Sequence, residues 1–460
     1  MRSRLSVALL ALLPSVARAQ EARVLSSAEM SADLFLLTET LTSQHSGLMR
    51  YTSRKDIEEA FGGAALAVEE GPRDALWFYR EVSALIAHVR CGHTRVRFGE
   101  RDRAAALARR GLLPFEVWLS GARAWILRVL DDELPLRPAQ EVLAIDGLSI
   151  SQIRERAFPR MSGDGLIGSG KERELEAEFA ELFTLLVAES RASEYELELA
   201  GEPATLRVKG LAPQEFQARR GARPDRPLVR LELFPESVGW LSIAAFGDPP
   251  AGQPRFPEQL EASFRKLRDE KIAHLVLDLR GNGGGRDQYG ARLVSYLSSK
   301  PFGYFERIEV TADYSSEGEI EERDGRRLML SHSGLQVQQP QELHFQGDVR
   351  ILIDGFTFST AADAATVAHA NRLAKFYGEE TGGGYEGNNS GETLSLVLKN
   401  SALSLSVPQW NYTTAGVGSE HHGRGVVPDV EVRATIEDVL AGRDAVLERA
   451  LEDIRALAPR

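Results

Sequence analysis

The chain has one cysteine among its 460 residues, Cys91, so an internal disulfide is impossible and a four-cysteine zinc site is excluded. It has no run of Lys or Arg long enough to form a basic patch. Its 55 basic and 67 acidic side chains leave a formal charge of −12, which repels a phosphate backbone and removes nucleic acid from the expected partners. It also lacks an internal repeat, a low-complexity tract and an apolar run long enough to span a bilayer. What is present, 43% hydrophobic and 27% charged residues, can fill two or three domains with their own cores.

The first residues read as an export signal. Arg2 and Arg4 precede the short apolar run Leu5–Leu13, and Ala17-Arg18-Ala19 places small residues where a signal peptidase reads them. Cleavage is expected after Ala19, giving a secreted or periplasmic protein. No cysteine follows the apolar run, so no lipid anchor is expected.

Beyond it the texture changes several times. Leu34, Leu37 and Leu41, and then Leu76, Tyr79, Val82 and Ile86, recur at helical spacing, so residues 25–105 read as a helical region in which Ser53 caps a helix. Short β-like runs such as Phe115-Glu116-Val117-Trp118 and Glu141 to Ile145 make residues 112–210 a small α+β module. Residues 212–227, rich in Arg, Gly and Pro without periodicity, read as a linker. Strands then alternate with helices from 228 to 435, which predicts a sheet covered by helices, and a single docking helix closes the chain over 436–457.

Two segments of that last region could carry chemistry. Asp278-Leu279-Arg280-Gly281-Asn282-Gly283-Gly284-Gly285 leaves a buried strand and enters a helix. Bare backbone N–H groups beside a helix N-terminus suit an anion, yet no Gly-Lys-Ser/Thr closes the turn and the glycines lack dinucleotide spacing, leaving an oxyanion hole or simple punctuation. Asp354 to Asp363 repeats the pattern, with Ser359 just before an Ala-rich helix. Ser there is a favoured N-cap, and it is also where a nucleophile can be aligned, flanked by the Thr360 N–H.

Taken in order and spacing, these two segments, then Gly378-Glu379-Glu380-Thr381-Gly382-Gly383-Gly384 and Gly425-Val426-Val427-Pro428-Asp429-Val430, resemble the tail-specific protease (S41 serine peptidase) family over about residues 228–435. Arg90-Cys91-Gly92-His93-Thr94 looks like the segment that supplies histidine in the branch related to the tricorn core protease. Ala139 to Gly147 resembles a strand and turn of a PDZ domain.

The resemblance implies an α/β, crotonase/ClpP-like sheet-and-helix peptidase core joined to the N-terminal helical region and a PDZ-like module. It implies Ser359 as nucleophile and an oxyanion hole from Thr360, Gly284 and Gly283. Relatives with a Ser-Lys dyad carry lysine where this chain has Gly384, so histidine is the remaining base, and His93 is the candidate. Glu420 is expected to orient its ring, with His422 as the competing alignment. Adjacent His421 and His422 point to opposite faces on a strand, and no third ligand accompanies them, so neither metal nor cofactor is expected. Cys91 is read as a buried small residue. The expected activity is hydrolysis of a protein or peptide substrate through an acyl-enzyme. The competing expectations are a catalytically silent binding scaffold and acyl-thioester chemistry of the crotonase kind.

Overall fold

A computed structural model describes residues 23–457 apart from 191, 223–224, 312–313 and 315–318. The export signal at residues 1–19 lies outside the described residues. Among the described residues no helix is long and apolar enough to cross a membrane.

The alternation of strands and helices after residue 228 folds into a six-stranded sheet. Val229–Phe234 is its antiparallel edge, followed by the parallel strands Val238–Ile243, His274–Asp278, Asp348–Ile353, Lys375–Gly378 and Val430–Glu431. The strand His274–Asp278 is continuously apolar from Leu275 to Leu277 because helices cover the sheet and leave it no polar face. The helices Phe256–Asp269, Asp287–Leu297 and Thr360–Ala370 bury Leu260, Phe264, Leu293, Ala361 and Ala365 in one core with the strands.

The end of the chain differs from expectation. Instead of one helix there are two, Ile436–Leu440 and Ala445–Arg455, because Gly442 takes φ +67° and Asp444 restarts the second by accepting the Leu447 N–H. The second does dock, packing Val446, Ala450 and Ile454 against Val276, Leu352 and Tyr377 of the sheet. The expected linker is also partly wrong. Pro213–Arg220 is a helix, begun by Pro213 and stopped by Gly221 at φ +72°, with Phe216 buried and Arg220 paired with Glu116 and Glu178.

The N-terminal helices Ser27–Gln44, Arg54–Glu69 and Ala75–His88 form where the spacing placed them, and Ser53 accepts the Asp56 N–H at 3.1 Å. They do not stand apart from the module that follows. Leu34, Leu41, Phe78 and Ile86 share one core with Phe115, Ile126, Ile145 and Phe183. The module itself is an antiparallel sheet running Phe115–Ser120, Arg123–Val129, Glu141–Ile145, Glu194–Leu199 and Leu206–Lys209, flanked by short helices.

A third sheet joins the two halves. Its long strand Ser404–Thr414 pairs with Phe305–Val310 and Asn389–Val397, and its first residues pair antiparallel with Arg95–Arg97, as Ser404 to Arg97 and Ser406 to Arg95. That short pairing carries residues 91–94 from the N-terminal half onto the helix-covered sheet.

Candidate active site

Three turns, the first and third glycine-rich, leave the carboxyl ends of three adjacent parallel strands, after Asp278, after Ile353 and after Gly378. Open α/β sheets place ligands at that edge. The turns are tied to one another: the Phe358 N–H donates to the Asn282 carbonyl at 3.0 Å, and the Gly382 N–H donates to the Thr357 carbonyl at 3.0 Å. Asn282, fully buried, donates from Nδ2 to the Ile243 carbonyl at 2.9 Å and fixes the first turn from below.

Ser359 precedes the helix Thr360–Ala370, but it does not cap it. Its hydroxyl makes no capping hydrogen bond, and its backbone sits at φ +54°, ψ −133°, a conformation that favours glycine. Holding serine there costs on the order of 1–3 kcal/mol, and such strain gathers at functional positions. The constraint comes from packing: a Cβ on Gly284 would lie 2.7 Å from the Ser359 Cβ and 2.9 Å from the Thr360 nitrogen, and one on Gly383 would lie 2.5 Å from the Ala362 Cβ. Only bare backbone lets the three turns close on the serine.

The structure brings His93 to that serine. The imidazole Nε2 is 3.1 Å from the Ser359 Oγ, within reach for proton transfer, although 266 residues separate them. The ring stacks on Phe358 with centroids 4.6 Å apart. Burial, reinforced by the charges of Arg95 and His45, pushes its pKa down to about 3, so the ring is neutral at ordinary pH. The segment is clamped: Ser162 Oγ donates to the Thr94 carbonyl at 2.7 Å, and Thr94 Oγ1 pairs with the buried His45 Nε2 at 2.7 Å.

Two expected residues have other places. The Gly284 N–H already donates to Asn282 Oδ1 at 2.9 Å, so it is engaged in building the turn. Among the described residues, the Gly283 and Thr360 N–H groups have no hydrogen-bond partner and remain for an oxyanion. Glu420 sits in the exposed turn Ser419–His421, folded back on Gly418 and near Tyr385, and makes no contact with His93. His422 is also exposed and its Nδ1 pairs with Glu386 at 2.8 Å.

The acid beside His93 is Asp164, which sequence reasoning missed. Its Oδ1 accepts the Gly92 N–H at 2.6 Å and its Oδ2 accepts the Gly384 N–H at 3.3 Å, so one carboxylate joins the histidine segment to the third glycine turn. Burial raises its pKa while those two N–H groups oppose the rise. A signal existed in Gly163-Asp164-Gly165, an acid between two residues of high backbone freedom, but nothing in the spacing linked it to residue 93. The missing lysine also has a reason: a Cβ on Gly384 would lie 2.6 Å from the Tyr51 Oη, so the N-terminal half occupies that space.

Two outcomes test this arrangement. Asp164→Asn should reduce kcat at least tenfold and cost about 1–3 kcal/mol of stability, since an NH₂ would face a backbone N–H, whereas Glu420→Gln should stay within about twofold of the parent. A larger loss in Glu420→Gln than in Asp164→Asn would support the orienting role that the resemblance assigns to Glu420. The second concerns pH. His45 and His93 both have pKa values pushed from 6.5 to about 3 by burial, so between those values the unfolded chain binds about two more protons than the folded one. Stability contributed by the neutral rings is present above pH 6.5 and falls as pH drops toward 3. Chemical denaturation at pH 7 and pH 5 should show the loss, reduced in a His45→Gln variant; equal stabilities would mean that both rings are hydrated.

Comparison with known proteins agrees with this fold. Residues 237–432 match the model described as Peptidase family S41. Among solved structures the chain is similar to mature CPAF, with TM-score 0.66 and 13% identity, covering 94% of this chain and 99% of that one. It is similar to mature CPAF complexed with lactacystin at TM-score 0.64 and 13% identity, covering 94% and 98%. At such identity the likeness concerns the fold. A weaker likeness, TM-score 0.38 at 15% identity, links it to the tricorn protease, covering 94% of this chain and 37% of that one.

Proposed function

We propose that this chain, whose residues 237–432 match the model of Peptidase family S41, is an exported serine endopeptidase working through an acyl-enzyme on Ser359 with His93 as general base. The observation that carries the reading is the 3.1 Å approach of a half-buried, neutral imidazole to a serine held at positive φ. In the first step Ser359 Oγ bonds to the scissile carbonyl carbon while its proton passes to His93 Nε2 and the carbonyl π pair moves onto oxygen. The N–H groups of Gly283 and Thr360 receive that oxyanion. Collapse breaks the C–N bond, and the amine leaves with the proton from His93. Water then repeats the sequence on the ester, its proton going to His93 and returning to Ser359. Export rests on the Arg2 to Ala19 pattern.

Labelling of the purified mature protein with a fluorophosphonate, followed by mass mapping, tests the reading. Label on Ser359 that is lost in His93→Ala supports it. Absence of label in a protein shown to be folded would favour a silent binding scaffold.

A further inference from the structure

The residues around the histidine make a second constellation, one member of which, Cys91, takes no part in the proposed peptidase steps. Cys91 Sγ, a ring nitrogen of His93 and a carboxylate oxygen of Asp164 all lie within 4.8 Å of one another. Cys91 and Asp164 are buried, and His93 Nδ1 is a buried atom with no hydrogen-bond partner. Nε2 faces Ser359, so Nδ1 is the nitrogen left over. Sequence spacing concealed the set, because its third member lies in another region of the chain.

We propose that Cys91, His93 and Asp164 form an inhibitory site for a zinc-like divalent cation. A thiolate, an imidazole and a carboxylate are the ligand types that zinc takes in fourfold sites, leaving one position for water. Edges of such a site measure roughly 3.5 Å, given metal–ligand bonds of about 2.0–2.3 Å, so side-chain movements of about an ångström close it. Arg95 lies nearby but is engaged with Glu174 at 2.9 Å and with the Gly92 carbonyl at 2.8 Å, which limits its competition for Asp164. On binding, the Cys91 S–H proton is released to solvent and the metal takes the Nδ1 lone pair. A neutral imidazole bound through Nδ1 carries its proton on Nε2, so it presents a donor to Ser359 and cannot accept the hydroxyl proton. The metal thus removes the base by fixing the tautomer.

The inhibitory consequence rests on the peptidase reading; the binding does not. Equilibrium dialysis with elemental analysis should give one zinc per chain in the full protein and in Ser359→Ala, with affinity at least tenfold weaker in Cys91→Ala and in Cys91→Ser. Cadmium should produce an ultraviolet thiolate charge-transfer band in the unsubstituted protein, absent from both Cys91 variants. The ratio of peptidase activity without and with zinc should exceed ten in the parent and approach one in either variant. Zinc bound equally by the Cys91 variants, or cadmium bound without a thiolate band, would overturn the site. If fluorophosphonate labelling fails, the dialysis and cadmium spectra still decide it.

Discussion

Replacing Ser359 with alanine is expected to lower kcat by on the order of 10⁵–10⁶, the loss seen when a nucleophile is removed from a serine–histidine unit, and to leave unfolding nearly unchanged. The two halves of that expectation come from one observation. The hydroxyl caps nothing, so its removal costs the helix no hydrogen bond, and alanine inherits the same φ of +54°. Ser359→Gly makes the contrast informative. It should be equally inactive, yet more stable by about 1 kcal/mol, because relief of backbone strain outweighs the greater freedom of glycine in the unfolded chain. Thermal denaturation of the three proteins side by side provides the measurement. If Ser359→Gly is less stable than the parent, the strain is not real and a main argument for the nucleophile goes with it.

The second large effect belongs to His93. His93→Ala should lower kcat by about 10²–10⁴, the contribution typical of a general base, with KM little altered, since proton transfer is made only in the transition state. The pH profile adds a test that simple loss of structure would not pass. Burial sets the pKa near 3, so the base is unprotonated above that value and the acidic limb of kcat/KM should lie well below the ordinary histidine range. A limb near pH 6.5 that vanishes in His93→Ala would identify the base while showing that water reaches the ring in the working enzyme.

Local signals made much of this molecule legible from sequence. The helix Thr360–Ala370 begins where the sequence places it, directly after Ser359, because a strand, a turn and an Ala-rich run mark its start. The turns after Asp278 and after Ile353 are visible for a similar reason, since each follows a buried strand and precedes a helix, whereas the turn after Gly378 is visible only through the family resemblance. What stayed hidden depends on contacts between distant segments. Asn282 reads as an ordinary turn residue, yet its side chain takes the Gly284 N–H out of the donor set. Glu420 lies at the right place in a linear pattern, but the turn that holds it is exposed. Asp164 had no pattern at all, and only the fold brings it to Gly92 and Gly384. The helix Pro213–Arg220 was missed because one buried side chain, Phe216, and ion pairs to earlier residues stabilise a stretch with little periodicity of its own.

The pairing of Arg95–Arg97 with Ser404–Ser406 bears on when the molecule becomes dangerous. A growing chain that has made His93 must add another 266 residues before Ser359 appears, and even then the strand that receives the histidine segment is still to be made. Contacts of such sequence separation form late, after local helices and turns. Under the proposed reading, every incomplete chain therefore lacks the assembled His93–Ser359 pair.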